Sequence, residues 1–171
     1  MNDPLATYLH DHLGGARAAI DLLKAIHHRH QGEPLGDFAA VFLPEVEADR
    51  ETLQRLAEKI GAGSHGLKEL SGWLGETVTR LKLGQKSAED FANFEALEFL
   101  ALGVRGKMGM WQALEVAAEM DARLRGYNFK QLVTSAHTQY RMVEQQRLEA
   151  ARTALAPRSE QRAGSSKKCL S

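Results

Sequence analysis

Phe91-Ala92-Asn93-Phe94-Glu95-Ala96-Leu97-Glu98-Phe99-Leu100-Ala101-Leu102-Gly103-Val104 begins a stretch whose apolar residues recur at three- and four-residue steps. It continues through Met108, Met110, Trp111, Leu114 and Val116 to Met120. It has no proline and no period-two alternation, so it predicts a helix rather than a strand. Apolar side chains cover nearly its whole circumference. Such a helix must be covered on most sides by other helices, which makes this the expected central helix of an all-α bundle.

Working outward, the preceding chain supplies two more helices. Asp3 and Pro4 form a start signal, an acidic N-cap followed by proline at a position whose N–H has no partner to lose. The stripe Leu5, Leu9, His12/Leu13, Ala16, Ile20, Leu23 and Ile26/His27 carries that helix to about His30, where Gln31-Gly32-Glu33-Pro34 stops it. Gly14-Gly15 inside it points to a kink or to a neighbouring helix approaching closely. A second helix restarts near Gly36-Asp37, with Phe38, Phe42, Val46, Asp49, Leu53, Leu56 and Ile60 inward, and ends at Gly61. Pro44 lies within it, and because the apolar phase survives, a kink is expected rather than a break. The short connection makes these two helices antiparallel neighbours.

Residues 62–87 are glycine-rich around a short amphipathic piece, Leu67, Leu70, Trp73/Leu74, Thr77/Val78 and Leu81. This length, partly helical, can travel along a bundle, so a lengthwise crossover is expected with Trp73 packed on the bundle's side. Ser87 and Asp90 form a capping-box pattern opening the central helix, which runs to about Ala122. Gly126 and Asn128 make the last turn. A fourth helix follows from Asn128, with Phe129, Leu132/Val133, Ala136, Tyr140, Val143, Arg147, Ala150 and Ala154 inward, and Pro157 ends it. Residues 1–156 thus form one expected domain and 157–171 a polar, disordered tail.

Composition removes several classes of function. The chain has 171 residues, 43% hydrophobic and 26% charged, ordinary values for a globular protein. Its 22 basic and 22 acidic side chains cancel, and the pI is about 7.1, against the basic face of a nucleic-acid binder. No apolar run reaches the roughly 20 residues of a membrane span. Without a basic, apolar leader and with the single Cys169, a cytoplasmic location is expected. Cys169 stands third from the end, one place too late for a prenylation box. No nucleophile elbow, phosphate-binding loop or zinc spacing is present.

Two hairpins joined by one long crossover give the connectivity of ferritin-like bundles. Glu45-Val46-Glu47-Ala48-Asp49-Arg50-Glu51-Thr52-Leu53 resembles the second helix of that superfamily, and Glu95 to Lys107 resembles its third. Tyr8-Leu9-His10-Asp11-His12-Leu13-Gly14-Gly15-Ala16 and the run Leu102 to Trp111 resemble an uncharacterised bacterial branch of it. The resemblance covers about residues 5–155 and implies an up-down-down-up four-helix bundle.

Metal-handling members of the superfamily draw a glutamate from each of two helices and Glu-x-x-His from each of the other two. No Glu-x-x-His occurs here: Val46 precedes Asp49 by three, and Thr134 precedes His137 by three. A nonstandard ligand set would consist of His12, Asp49, Glu98, His137 and Glu144, with Tyr140 beside it. The competing expectation is that His12 and His137 are hydrogen-bonded core histidines and that Asp49 pairs with Arg105, since a lone buried carboxylate is costly. His27-His28-Arg29-His30 is explained by cations favouring a helix C-terminus. Gly103, Gly106 and Gly109 form a small-residue line, expected to pack against a neighbouring helix or to offer a groove to a ligand or partner helix. Met108, Met110 and Trp111 beside it read as core.

The favoured function is therefore a binding or interaction module without a functional di-iron centre, needing no cofactor and able to form a homodimer. The alternative is a metal-dependent oxidase or iron-handling protein, using iron or manganese at the nonstandard set.

Overall fold

A computed structural model describes residues 3–61 and 86–157, with side chains from residue 89 onward in the second segment. Four helices occupy these segments: α1 (Pro4–Arg29), α2 (Pro34–Lys59), α3 (Lys86–Ala117) and α4 (Phe129–Ala154). No strand occurs among the described residues. The expected crossover, with Trp73, and the expected tail lie outside them.

The start signals act as their chemistry requires. The Asp3 carboxylate accepts from the Leu5 N–H at 3.0 Å and Pro4 opens α1. Asn128 caps α4 by accepting from the Gln131 N–H at 3.1 Å, and Gly126 supplies the left-handed turn before it at φ 95°. The helix α1 passes through Gly14-Gly15 without interruption. Pro34, read in the sequence as part of a stop, is instead the first residue of α2, so that helix begins two residues before Gly36. Proline suits both roles because a first-turn N–H needs no helical acceptor. Gly36 is forced by crowding: a Cβ there would lie 1.9 Å from the His30 carbonyl oxygen.

Pro44 lies inside α2 and is exposed. Phe42 before it and Val46, Leu53 and Leu56 after it are all buried, so the apolar phase does survive the proline. The central helix α3 differs from expectation at both ends. It already includes Lys86, one residue before the proposed cap, and it stops at Ala117. A 3-10 turn, Ala122–Leu124, follows, with Asp121 accepting from the Arg123 N–H.

Helix directions follow from which ends meet. His30, at the end of α1, binds Asn93 near the start of α3, while Arg29 reaches Glu89 at 3.0 Å. Lys59, at the end of α2, donates to the Arg125 carbonyl beyond α3. Hence α1 and α4 point one way, α2 and α3 the other. The interior has two layers. Ile20, Leu23, Ile26, Phe42, Leu97, Leu100 and Val143 fill one. Leu9, Leu13, Leu56, Trp111, Leu114 and Phe129 fill the other.

The expectation for α3 needs one correction. Its inner face is buried as expected, but Leu102, Gly106, Gly109, Ala113, Val116 and the following Met120 are exposed. The stretch is apolar nearly all round without being covered all round.

A cross-link closes the lower end of the bundle. The Arg123 guanidinium donates to Asp3 at 2.6 Å and to Asp121 at 2.7 Å. It holds both carboxyls below their ordinary value of 3.8. A depressed carboxylate contributes stability above the unfolded pKa and loses it as pH falls through the folded one. Arg123→Gln is therefore expected to flatten the loss of stability on acidification below about pH 4. Urea titrations at stepped pH check this, and an unchanged acid limb would remove the cross-link's role.

Candidate interior binding site

The five residues of the proposed ligand set do not converge. His12 and Asp49 both line one interior pocket. Glu98 is exposed, and Glu144 is half-buried on α4. One guanidinium serves both, since Arg147 donates to Glu144 at 2.7 Å and to Glu98 at 3.4 Å. That same arginine, hydrogen-bonded to Glu144, holds the Glu144 carboxyl below its usual value. His137 is exposed on α4, so it is not the core histidine expected, because its position faces away from the packed stripe of Phe129, Ala136 and Val143. Among the described residues no group of three or more His, Cys, Asp or Glu is placed to hold a metal ion.

The expected Asp49–Arg105 pair is also corrected. Asp49 accepts from the Lys107 ammonium, which donates as well to the Gln139 carbonyl oxygen of α4. Arg105 instead lies over the Tyr140 ring, 4.7 Å from its centroid. Two residues along a helix turn a side chain by about 200°, so Lys107 and Arg105 cannot both face α2. The side chains of Lys107 and Asp49 are 16% and 14% exposed, so the pair is largely out of water. Gln139, 2% exposed, is a buried polar residue that the sequence stripe passes over. Its signal was its spacing, three residues after Ala136 and four before Val143, which puts all three on one helix face.

The pocket itself lies among α1, α2 and α3 and has a volume of about 50 Å³. Its walls are mainly apolar: Ala16, Phe42, Val46, Leu53, Leu100 and Val104. His12, Asp49, Arg50, Lys107 and Trp111 also line it. His12 packs edge-on against Tyr8 at 4.7 Å, and burial lowers its pKa below the ordinary 6.5, so the imidazole is neutral at pH 7. Trp111 is 1% exposed, and its Nε1–H has no hydrogen-bond partner. A buried donor left unpaired costs roughly 1–3 kcal/mol, and among the described residues His10 Nε2 is likewise buried without a partner. Trp111, read from the sequence as plain core, is therefore core with an unused donor.

The histidine tract also does more than meet a helix dipole. His27 Nδ1 lies 3.1 Å from the Gly36 carbonyl oxygen. His30 is buried between Glu33, at 2.7 Å, and Asn93, at 3.0 Å. These bonds tie the α1–α2 connection to the start of α3. Gly103, Gly106 and Gly109 do not pack against a neighbour, for a Cβ at any of them would meet nothing within 4 Å. Gly103 also borders the pocket.

Compared with protein-family models, with curated proteins and with solved structures, the chain finds no match. No helix among the described residues is long and apolar enough to cross a membrane.

Proposed function

We propose that this chain is a ferritin-like up-down-down-up bundle whose interior serves binding rather than di-iron chemistry. The opposed directions of the two helix pairs support that topology, with residues 62–85 as the lengthwise connection. One observation carries the functional half: the Lys107 ammonium stands between Asp49 of α2 and Gln139 of α4. The oxygen donors that a metal would need are already bonded to a cation fixed to the protein. Only His12 and Asp49 of the five-residue set share the pocket, and two donors do not make a di-iron site, which takes about six protein ligands.

Untagged protein, incubated anaerobically with ferrous iron, exposed to air and desalted, tests this. Elemental analysis is expected to find essentially no iron retained. A content near two irons per chain would overturn the proposal in favour of an oxidase or iron-handling site built on His12, Asp49, Glu98, His137 and Glu144.

A further inference from the structure

We infer that the outer face of α3 pairs with the same face of a second copy of this chain, the two helices running antiparallel. This face lies across α3 from Leu100, Val104 and Trp111, which line the interior pocket, so the inference does not rest on the proposed binding function. Leu102, Gly106, Gly109, Ala113, Val116 and Met120 follow one another at steps of four, three, four, three and four. That is the seam spacing of a coiled coil, and no charge interrupts it. All six residues are exposed, Leu102 to 65%, Val116 to 67% and Met120 to 92%. A Cβ at Gly106 or Gly109 would meet nothing within 4 Å, so nothing described fills the middle of the seam. Beyond Ala117 the backbone keeps winding, since the Glu119 and Met120 N–H groups donate to the Val116 and Ala117 carbonyls at 3.2 and 3.1 Å.

Size and charge select both the occupant and its direction. In an antiparallel pair whose two-fold axis passes at the level of Trp111, Leu102 meets the partner's Met120, Gly106 meets the partner's Val116 and Gly109 meets the partner's Ala113. Bulky pairs close the two ends, each valine fills the space over a glycine, and the small central pair lets the helices come close where they cross. A polar row borders the seam one residue before Gly106, Ala113 and Met120, and its members Arg105, Gln112 and Glu119 are all exposed. The same axis sets Arg105 against the partner's Glu119, twice by symmetry, and Gln112 against the partner's Gln112. A parallel pair would instead stack glycine on glycine and set Arg105 against Met110, which is buried. The face is therefore complementary to itself in one direction only. A single helix pair makes a small interface, of the size of transient contacts, so the dimer forms as concentration rises and parts on dilution.

Sedimentation velocity over a dilution series tests the pairing. The unaltered chain is expected to pass from 18.9 kDa toward twice that mass as concentration rises. Leu102→Glu, at a position already in water, is expected to leave a monomer throughout. Arg105→Glu and Glu119→Arg each bring like charges together at two places, and each is expected to raise the dissociation constant about tenfold. Arg105→Glu also removes a cation from the Tyr140 ring, whereas Glu119→Arg leaves that contact in place. The double variant is expected to regain the original affinity. So is an equimolar mixture of the two single variants, in which every contact again joins opposite charges. A mass of 18.9 kDa at every concentration would overturn the pairing. A dimer that survives Leu102→Glu would do the same, as would single charge variants that neither weaken the dimer nor rescue each other.

Discussion

Replacing Asp49 with asparagine or Lys107 with methionine is expected to lower unfolding stability by about 2 kcal/mol or more in each case, and the double variant is expected to recover only the part of the loss that comes from an unpaired charge. The physical reason is an asymmetry. Both side chains lie largely out of water, at 14% and 16% exposure, so the charge left behind by a single substitution has neither solvent nor partner. Breaking a fully buried pair costs about 3–5 kcal/mol, and the remaining exposure of this one brings the figure down. Methionine matches the length of the lysine stem and suits an apolar lining, so when both charges go the site is simply a wall of the pocket. Gln139 sharpens the expectation, because its carbonyl oxygen loses its bond when the ammonium goes. Urea titrations with unchanged slopes give the cycle. Single losses below about 0.5 kcal/mol would mean that Asp49 and Lys107 sit together without depending on each other.

Local chemistry explains which parts of this fold could be read directly. Asp3-Pro4 and Asn128 act within one turn of themselves, so their caps follow from the residues alone. The spacing of Phe42, Val46, Leu53 and Leu56 carries its phase across Pro44, because an exposed proline removes one N–H without turning the helix face. Pairing between distant residues was not readable in the same way. Asp49 needed a cation at the level of α3, and sequence offers both Arg105 and Lys107; only the azimuth of α3 against α2 decides, and that depends on how all four helices pack. The same limit applies to His137. Its direction around α4 puts it in solvent. Trp111 could be read as core from its spacing, yet an unused indole N–H is visible only when every neighbour is known. A long apolar run, finally, tells how much of a helix can be covered and not how much is covered, as Leu102 and Val116 show.

That uncovered face leads to the second large effect. Gly103→Ala, Gly106→Ala and Gly109→Ala together are expected to raise the stability of the dilute, monomeric chain by about 2–3 kcal/mol. Each glycine sits in the interior of α3, where its backbone freedom in the unfolded chain costs about 1 kcal/mol relative to alanine. Nothing lies within 4 Å of a Cβ built at any of the three, so no steric penalty offsets the gain. For a chain of 171 residues this corresponds to a rise in melting temperature of about 5–10 °C. Had the glycines been needed for a neighbouring helix of the same chain, each alanine would instead destabilise. The comparison also tests the surface as an interface. Leu102, Val116 and Met120 flank the glycines with exposed apolar side chains, and with a second chain seated there Gly106→Ala and Gly109→Ala are expected to lower the solution mass of concentrated protein while the dilute chain gains stability. Light scattering beside calorimetry tells the outcomes apart: an unchanged mass in concentrated protein marks the glycine line as open surface, and a lower one marks it as the contact of a dimer.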